Sequence, residues 1–305
     1  MSQPAQIIRI GLLRLLDSAP VLLADQQGYF TQAGLAATLL REPSWANIAD
    51  KLAYGLLDAA IMPGPLALAI MLGLRGRATA LHIAGLLSRE GNAVVMANLA
   101  SANIVVPHWA TVHIFSNHTL LLRRVFAERG ITPAAMLALP PAEMTNALAQ
   151  GRITGFCAGA PWGAHAAAQG AGTIIASSAS LAPNHPEKFI VLRADFAAAH
   201  PTIAAALRDA LSAATLYGQQ PEQSDAIAHF LAAPDQLNLP HPLLAAALRS
   251  GQGNPIFMTG VDVRPHADEW ANDWHWTITQ MQHAAQFSTA QAAQARRLIL
   301  TNDKK

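Results

Sequence analysis

The stretch IIRIGLLRLLDSAPVLLADQQGYFTQAGLAATLL, residues 7–40, contains a strand, a helix and a second strand in succession. Its first seven residues, apolar apart from one arginine and one glycine, predict a buried strand. A helix is predicted over 19–32, because Pro20 suits a first helical turn and Gly34 ends the run. The second strand follows over 35–40. Strands joined by a helix are typical of parallel pairing, with the helix packed on one face of the sheet.

The same alternation continues through the middle of the chain. The apolar patterns predict further strands over 59–62, 80–87, 93–96, 111–115, 153–157 and 189–192. Between them, periodic apolar positions predict helices over 45–57, 66–74, 118–129 and 142–150. Strands that alternate with helices indicate an α/β fold whose mostly parallel sheet is covered on both faces.

The last third of the chain changes character. An alanine-rich pattern with a 3.6-residue period predicts helices over 194–229, 242–249 and 269–287. We therefore expect two α/β lobes with a C-terminal helical layer. The predicted lobe I is discontinuous, comprising residues 1–92 and 192–305, and lobe II comprises residues 93–191.

The composition favours a folded globular protein and excludes several other classes. Hydrophobic residues make up 52% of the 305 residues and charged ones 13%, the opposite of the balance that keeps a chain disordered. The formal net charge of +1, with no run of lysine or arginine, lacks the basic footprint of a direct nucleic-acid binder. Apolar runs such as 67–74 are far shorter than the roughly 20 residues of a membrane-spanning helix. We therefore expect no direct nucleic-acid or membrane partner.

The first residues bear on the compartment. Secretory signals carry an uninterrupted apolar stretch before a cleavage site. Here Arg9 and Arg14 interrupt the first apolar run, which we interpret as a buried strand. The single cysteine, Cys157, allows no internal disulfide and is compatible with a reducing compartment. A cytoplasmic location is therefore expected.

The first part of the chain contains four short segments in a set order: Arg9-Ile10-Gly11, Asp17-Ser18-Ala19-Pro20, Gly28-Tyr29-Phe30 and Gly34-Leu35. In sequence and order they resemble the opening of ABC-type substrate-binding proteins for nitrate, bicarbonate and sulfonates. Three motifs narrow it to the nitrate and bicarbonate branch: Arg41-Glu42-Pro43-Ser44-Trp45-Ala46-Asn47-Ile48 with Asp50-Lys51-Leu52, Gly155-Phe156-Cys157-Ala158-Gly159-Ala160-Pro161-Trp162, and His185-Pro186-Glu187-Lys188. The resemblance spans nearly the whole chain.

The resemblance implies an α/β, two-lobed, periplasmic-binding-protein-like fold of type II, with the ligand in the interlobe cleft and a C-terminal helical layer. Within the branch, the chain is similar to leaderless cytoplasmic nitrate/nitrite sensors of the NasS type. Such a sensor would bind nitrate or nitrite and control release of an ANTAR-type, RNA-binding antitermination regulator of nitrate assimilation genes. Two alternatives stay open: a substrate-binding subunit of an ABC importer for nitrate or a related small anion, and an enzyme on the same fold. We expect no catalysis and no cofactor.

The chain departs from the branch at four places. Ala49 stands where the family usually has arginine, and Ala160 where it usually has glutamate before Pro-Trp. The stretch 97–111 is shorter than the usual connection between the lobes. His113-Ile114-Phe115-Ser116 replaces the usual Phe-Pro-Phe-Ser. These changes leave the fold intact and bear on the ligand and the partner.

A nitrate site needs one positive charge, N–H donors in the plane of the anion and a flat apolar surface against its face. The family's ligand contacts match Lys188, expected in the loop before the strand over 189–192, as the charge; otherwise it is a solvated lysine beside a turn. They also match His118, which would donate from its ring at a helix N-terminus, where an anion is favoured. Otherwise His118 is an ordinary surface or cap residue.

Three more positions complete the candidate site. Trp45 begins a helix and would lay its ring against the anion or donate its indole N–H; the alternative is a core anchor. Asn92 would supply amide donors and bridge the lobes, or else is a turn residue. Gly159 would offer a backbone N–H, or else is a turn glycine. We expect Lys188, His118 and Gly159 on one lobe and Trp45 on the other.

Two other groupings are interpreted as structural. Cys157 has no identifiable base nearby in sequence, so buried apolar filler is a better interpretation than nucleophile. The C-terminal cluster of histidines and acidic residues shares only part of a helix face. It is therefore expected to be a packed helix with a solvated face and no metal site; its members are His266, Glu269, Asp273 and His275.

Overall fold

The computed structural model describes residues 6–98, 108–249, 254–258 and 267–302. Within these ranges the strands form two separate sheets, one of six strands and one of five. His266 and most of the stretch 97–111, on which sequence-based expectations fell, lie outside the described residues.

The first sheet combines strands from the beginning of the chain with two strands that come after residue 185. Its strands are β1 (Gln6–Leu12), β2 (Leu35–Arg41), β3 (Ala59–Pro63), β4 (Leu81–Glu90), β10 (Pro186–Arg193) and β11 (Pro255–Phe257). Across the sheet they follow the order β11-β4-β10-β3-β1-β2. β1 pairs in parallel with β2 and β3, whereas β10 is antiparallel to β3 and β4, and β11 is antiparallel to β4.

The second sheet is built from the middle of the chain. Its strands are β5 (Asn92–Ala97), β6 (His108–Thr111), β7 (Ala135–Ala138), β8 (Gly155–Gly159) and β9 (Gly172–Ser177). Their order is β7-β6-β8-β5-β9. β6 pairs in parallel with β7 and β8, whereas β5 is antiparallel to β8 and β9.

Both sheets are therefore mixed, and the prediction of a mostly parallel sheet is wrong. The reason lies in the two passages between the sheets. β4 leads the chain out of the first sheet at Glu90, and β10 brings it back from Pro186 onward, so these neighbouring strands run in opposite directions. The lobe boundaries, 1–92 with 192–305 and 93–191, stay a prediction.

The helices alternate with these strands and then dominate the end of the chain. Over the described residues they are α1 (Ala19–Gln26), α2 (Tyr29–Gln32), α3 (Trp45–Ala53), α4 (Gly64–Met71), α5 (Asn117–Arg129), α6 (Pro141–Ala149), α7 (Trp162–Ala168), α8 (Ser178–Leu181), α9 (Ala194–Ala199), α10 (Ile203–Gly218), α11 (Ser224–Ala232), α12 (His241–Leu248), α13 (Ala267–His283) and α14 (Thr289–Asn302). The C-terminal helical region confirms the predicted helical layer.

Some predicted boundaries are wrong for local reasons. The predicted helix over 194–229 is three helices, α9 to α11, because Pro201 and Pro221 lie in the connections and a proline cannot continue a helix interior. The helix predicted over 19–32 divides into α1 and α2 at Gly28, whose φ of 73° lies in the left-handed region. The helix predicted to reach residue 287 ends at His283.

The strand predicted over 111–115 is also misplaced, since β6 ends at Thr111. The following residues form a turn in which Ser116 Oγ donates to the carbonyl of His113 at 2.6 Å. The same hydroxyl accepts from the amide of Thr119 at 3.3 Å and so caps α5. This turn fixes the position of the first residues of α5.

The C-terminal helix α13 packs on the first sheet. Phe189 of β10 stacks on Trp274 with ring centroids 4.3 Å apart. Trp270 meets the Phe189 ring edge-on, with centroids 5.8 Å apart. Asp273, expected on a solvated face, is instead buried and takes both terminal nitrogens of Arg89 at 2.7 and 2.8 Å. The apolar side of α13 thus explains its tryptophans, and the Arg89 pair explains its buried carboxylate.

The first passage between the sheets has an unusual backbone. Glu90 and Gly91 both have positive φ, 58° and 82°. A Cβ at Gly91 would lie 2.9 Å from the backbone of Pro255, so only glycine fits there.

None of the helices in the described ranges has both the length and the apolar content needed to span a bilayer.

Candidate functional site

The ends of several elements meet between the two sheets. The first sheet contributes Trp45, the first residue of α3, and Lys188 of β10. The second contributes Asn92 at the start of β5, His118 in the first turn of α5 and Gly159 at the end of β8. Helix N-termini such as those of α3 and α5 carry a partial positive charge from their free N–H groups.

These five predicted residues are linked by short distances. Lys188 Nζ is 5.7 Å from the centre of the Trp45 ring. A methyl group on Gly159 would lie 3.6 Å from Asn92 Oδ1 and 3.9 Å from His118 Nε2. The two sets are joined by Asp17, whose Oδ2 is 3.1 Å from Lys188 Nζ and 3.3 Å from the same methyl position. The structure therefore brings all five together.

Lys188 is not where the sequence placed it. Instead of ending a loop it is the third residue of β10, in register with Pro63 of β3 and Ser88 of β4. It therefore belongs to the first sheet, with Trp45, and not to the second with His118. A strand tolerates this buried charge because Asp17 and Glu187 pair with it, which apolar periodicity alone does not reveal.

Two carboxylates at the site were missed by sequence reasoning. Asp17 and Glu187 are 4% and 0% exposed, and both contact the ammonium group of Lys188. Asp17 Oδ1 also accepts from Ser88 Oγ at 3.0 Å. A signal was present, because Asp17 and Glu187 both stand inside the quoted motifs, but no role had been assigned to either.

The carboxylate of Glu187 joins the two sheets through its hydrogen bonds. Its Oε1 lies 2.5 Å from Lys188 Nζ. Its Oε2 accepts from the side-chain amides of Asn92 at 2.7 Å and Asn117 at 2.8 Å, and lies 3.1 Å from His185 Nε2. Asn92 and Asn117 belong to the second sheet and its helix α5, so one carboxylate of the first sheet holds both.

The bonds of Asn92 change its expected role. It does bridge the two sheets, but through an N–H given to Glu187. Its Oδ1 is buried and has no hydrogen-bond partner among the described residues. The atom that Asn92 turns towards Gly159 is therefore an acceptor and not the expected donor.

His118 is completely buried, and neither ring nitrogen has a hydrogen-bond partner within the described ranges. Burial lowers the pKa of His118 to about 3, although the charge of Glu187 opposes this shift. The ring is thus neutral near pH 7. A neutral imidazole offers one N–H donor and one acceptor.

Trp45 is 2% exposed, and its Nε1 has no hydrogen-bond partner in the described part of the chain. Ser44 caps α3 by accepting from the amide of Asn47 at 3.2 Å, which fixes where the helix begins and where Trp45 lies. Other buried tryptophans, Trp109 among them, also have an unpartnered Nε1. An unpartnered indole N–H alone therefore does not indicate a ligand site, whereas a group of unpartnered polar atoms close together does.

The charges of the site are strongly coupled. Burial alone would lower the pKa of Lys188, but Asp17 and Glu187 raise it above its usual value. Burial would raise the pKa of Glu187, yet Lys188 and the hydrogen bond from His185 hold it well below its usual range. Burial raises the pKa of Asp17, and Lys188 offsets this only in part. A lysine ammonium has three N–H donors, and only two face these carboxylates.

Two other groupings were interpreted from sequence as structural: Cys157 and the C-terminal cluster of histidines and acidic residues. Cys157 is buried on β8, and burial raises the pKa of its thiol well above the usual value. Among the described residues, no group of three or more His, Cys, Asp or Glu side chains is arranged to hold a metal ion. His266 lies outside those residues.

Known proteins resemble the chain along most of its length. The NrtC protein of Synechocystis, described as a nitrate import ATP-binding protein, is 32% identical over 246 residues, which cover 74% of this chain and 37% of NrtC. The bicarbonate-binding protein CmpA of Synechococcus elongatus is 25% identical over 277 residues, covering 80% of this chain and 62% of CmpA. The chain thus spans well under half the length of NrtC.

The fold is shared with solved structures. The periplasmic nitrate-binding protein NrtA from Synechocystis superposes with a TM-score of 0.82 at 21% identity, covering 98% of this chain and 89% of NrtA. The alkanesulfonate-binding protein SsuA from Xanthomonas axonopodis gives a TM-score of 0.71 at 18% identity. These likenesses confirm the two-sheet, periplasmic-binding-protein-like α/β fold. The NMT1-like family matches residues 2–232, more than half of the sequence, and the chain therefore belongs to the NMT1-like family.

Proposed function

We propose that the protein binds nitrate or nitrite between its two sheets, without catalysing a reaction. One observation carries the proposal: buried polar atoms without partners among the described residues are grouped at this site. Asn92 Oδ1 and His118 Nε2 lie beside Gly159, at 3.6 and 3.9 Å from a methyl group placed there, and Trp45, whose buried Nε1 is also unpartnered, has its ring 5.7 Å from Lys188 Nζ. Buried polar groups are ordinarily hydrogen-bonded, so such a cluster is best explained as the lining of a polar ligand site.

The donors suit a small anion. Lys188 supplies a full positive charge and one uncommitted N–H, while Trp45 and His118 each supply a further N–H. The first turns of α3 and α5 add partial positive charge. Gly159 leaves room where any side chain would intrude. Binding proteins for nitrate and for bicarbonate among the relatives support an anion of this size.

Two roles can use the same site. The motif resemblance to NasS-type proteins supports a cytoplasmic sensor of nitrate or nitrite, in which binding controls release of an ANTAR-type antitermination regulator. The relatives named for nitrate import and bicarbonate transport support a substrate-binding subunit of an importer. We propose the sensor as the leading role. A ligand switches a partner only if it binds one arrangement of the lobes more tightly than the other.

The anion-binding proposal is tested by calorimetric titration with nitrate, nitrite, bicarbonate and a short sulfonate. Wild-type protein is expected to bind nitrate or nitrite. Trp45→Phe keeps the ring but loses the N–H, and affinity is expected to fall about tenfold, the value of one hydrogen bond to a charged acceptor. Trp109→Phe is the matched control, since Trp109 Nε1 is equally buried and unpartnered but lies on β6. Absence of binding to every anion contradicts the proposal.

The sensor role has its own test. The protein is mixed with an ANTAR-type regulator, and complex formation is measured by size-exclusion chromatography with and without nitrate. The sensor proposal expects a complex that nitrate dissociates. A complex that ignores nitrate, or no complex, contradicts the sensor; stimulation of transport by a reconstituted importer then favours the alternative.

A further inference from the structure

The buried charges at the site do not balance once an anion is added. Asp17, Glu187 and Lys188 are each less than 5% exposed. With all three ionised the cluster carries two negative charges and one positive. A bound monovalent anion adds another negative charge where water cannot screen it, so a compensating positive charge or a proton is required.

Arg89, a buried cation next to Ser88 in sequence, is already engaged. Arg89 follows Ser88 on β4, but its guanidinium gives two hydrogen bonds to Asp273 and one to the carbonyl of Asn184. It therefore cannot serve as the counter-ion of an anion beside Gly159 without breaking a buried pair. A proton is the remaining way to restore the balance.

The two carboxylates differ in their capacity to accept that proton. Glu187 is surrounded by donors from Lys188, Asn92, Asn117 and His185, which favour its ionised form. Among the described residues, Asp17 has only Ser88 and Lys188 as hydrogen-bonding or oppositely charged partners. Burial has already raised the pKa of Asp17, and an anion nearby raises it further. Asp17 is the weaker acid of the two.

The geometry gives the proton a use. Asp17 Oδ1 accepts from Ser88, while Oδ2 faces the open side of Gly159, where a methyl group would lie 3.3 Å away. We propose that anion binding is coupled to the uptake of one proton by Asp17, whose Oδ2–H then donates a hydrogen bond to the anion. This inference rests on the proposed function and deepens it. It makes Asp17 a residue that favours anions able to accept a hydrogen bond from its Oδ2–H group.

Asp17 faces charged or titratable groups of two elements and uncharged groups of two others. β10 presents Lys188 and Glu187, and α5 presents His118, whereas β4 presents the hydroxyl of Ser88 and β8 the bare Gly159. Two buried histidines among the described residues of the site could also take a proton as the anion binds: His118, and His185, whose Nε2 lies 3.1 Å from Glu187 Oε2. The experiment must therefore separate Asp17 from both histidines.

The probe is nitrate, which stays ionised over the accessible pH range. Titrations at one pH, near 7.5, in phosphate, HEPES and Tris give a buffer-dependent heat whose slope is the number of protons taken up. The wild-type slope is expected to be close to one, and the dissociation constant to rise about tenfold per pH unit above the pKa of free Asp17. Asp17→Asn places a neutral amide donor at the same position, so it is expected to bind nitrate with a slope near zero and a dissociation constant independent of pH.

Asp58→Asn is the matched control. Asp58 is another buried carboxylate paired with a cation, Arg9, at 2.6 Å, but that partner lies in the middle of β1 and is not one of the residues of the site. Its replacement should leave the proton slope at one. Nitrate binding by the wild type without proton uptake overturns this inference alone. Uptake that persists in Asp17→Asn assigns the proton to another group, His118 first, and also overturns it, whereas no binding at any pH removes the proposed function as well.

Discussion

Asn92 Nδ2 donates to Glu187 Oε2 at 2.7 Å, and this bond joins the first strand of one sheet to the returning strand of the other. Both residues are buried, at 1% and 0% exposure. The same amide turns its oxygen towards Gly159, so one side chain links closure of the two sheets to the lining of the proposed site.

Replacing Asn92 by alanine is expected to weaken nitrate binding and to lower the free energy of unfolding by about 1 to 3 kcal/mol, since Glu187 loses a buried donor. Calorimetry and urea unfolding measure the two effects. Asn98→Ala is the control, because Asn98 is only half-buried and its amide donates to the Gly170 carbonyl, outside the site. Equal effects of the two variants would show that the bond to Glu187 has no special role.

Adding a methyl group at Gly159 is expected to reduce nitrate affinity by at least tenfold while leaving the fold intact. The new carbon would lie 3.3 Å from Asp17 Oδ2 and occupy space needed by the anion. Gly218→Ala on α10 is a matched control, because its methyl would lie equally close, 3.3 Å, to the flexible side chain of Leu23. Unchanged affinity in Gly159→Ala would place the anion elsewhere.

Stability is expected to fall on acidification below about pH 6.5, the usual histidine value. The pKa of His118 is about 3 and that of His113 about 4 in the folded protein, both lowered by burial. The unfolded chain therefore binds more protons over this window, and the stability that neutral histidines contribute is full above pH 6.5 and is lost as the pH falls towards those values.

The contribution of His118 can be isolated by urea unfolding at several pH values without ligand. In His118→Gln the decline is expected to be shallower by about 1.4 kcal/mol per pH unit, the value for one proton. His275→Gln, an exposed position on α13, should leave the slope unchanged. A slope identical to wild type in His118→Gln would mean that His118 is already protonated in the folded protein.

Breaking the Arg89–Asp273 pair is expected to be costly. Arg89→Met leaves a buried carboxylate on α13 without its partner, and such losses typically cost about 3 to 5 kcal/mol. Arg124→Met removes the exposed pair with Glu128, which is expected to matter by less than about 1 kcal/mol. Thermal and urea unfolding compare the two variants; similar small losses would show that Asp273 accepts a proton or a water with ease.

Local sequence predicted where Trp45 and His118 lie, at or near the start of a helix, since helix starts can be located from apolar runs and capping residues. Their role as ligand contacts is implied by the family resemblance and stays a prediction. The alternation of strands and helices likewise predicted an α/β fold. Its strand directions were wrong, because the passage of the chain between two sheets leaves no mark on periodicity.

The parts that were missed depend on contacts between distant segments. Asp17 precedes a helix near the start of the chain, and its proximity to Lys188 exists only after β10 inserts beside β4. The apolar run begins at Phe189, so the sequence pattern places Lys188 in the loop before the strand. Only the paired burial of Asp17, Glu187 and Lys188 makes such a strand stable.

The burial of the site also bears on the rate of anion exchange. Trp45, His118 and Lys188 are none of them more than 2% exposed, so an anion bound as proposed would be shielded from bulk water by these side chains. On that proposal its arrival and departure require the two sheets to separate, and the residence time is governed by that opening. A variant such as Asn92→Ala should speed both association and dissociation of the anion. The contacts between the sheets would then set how long the anion stays bound.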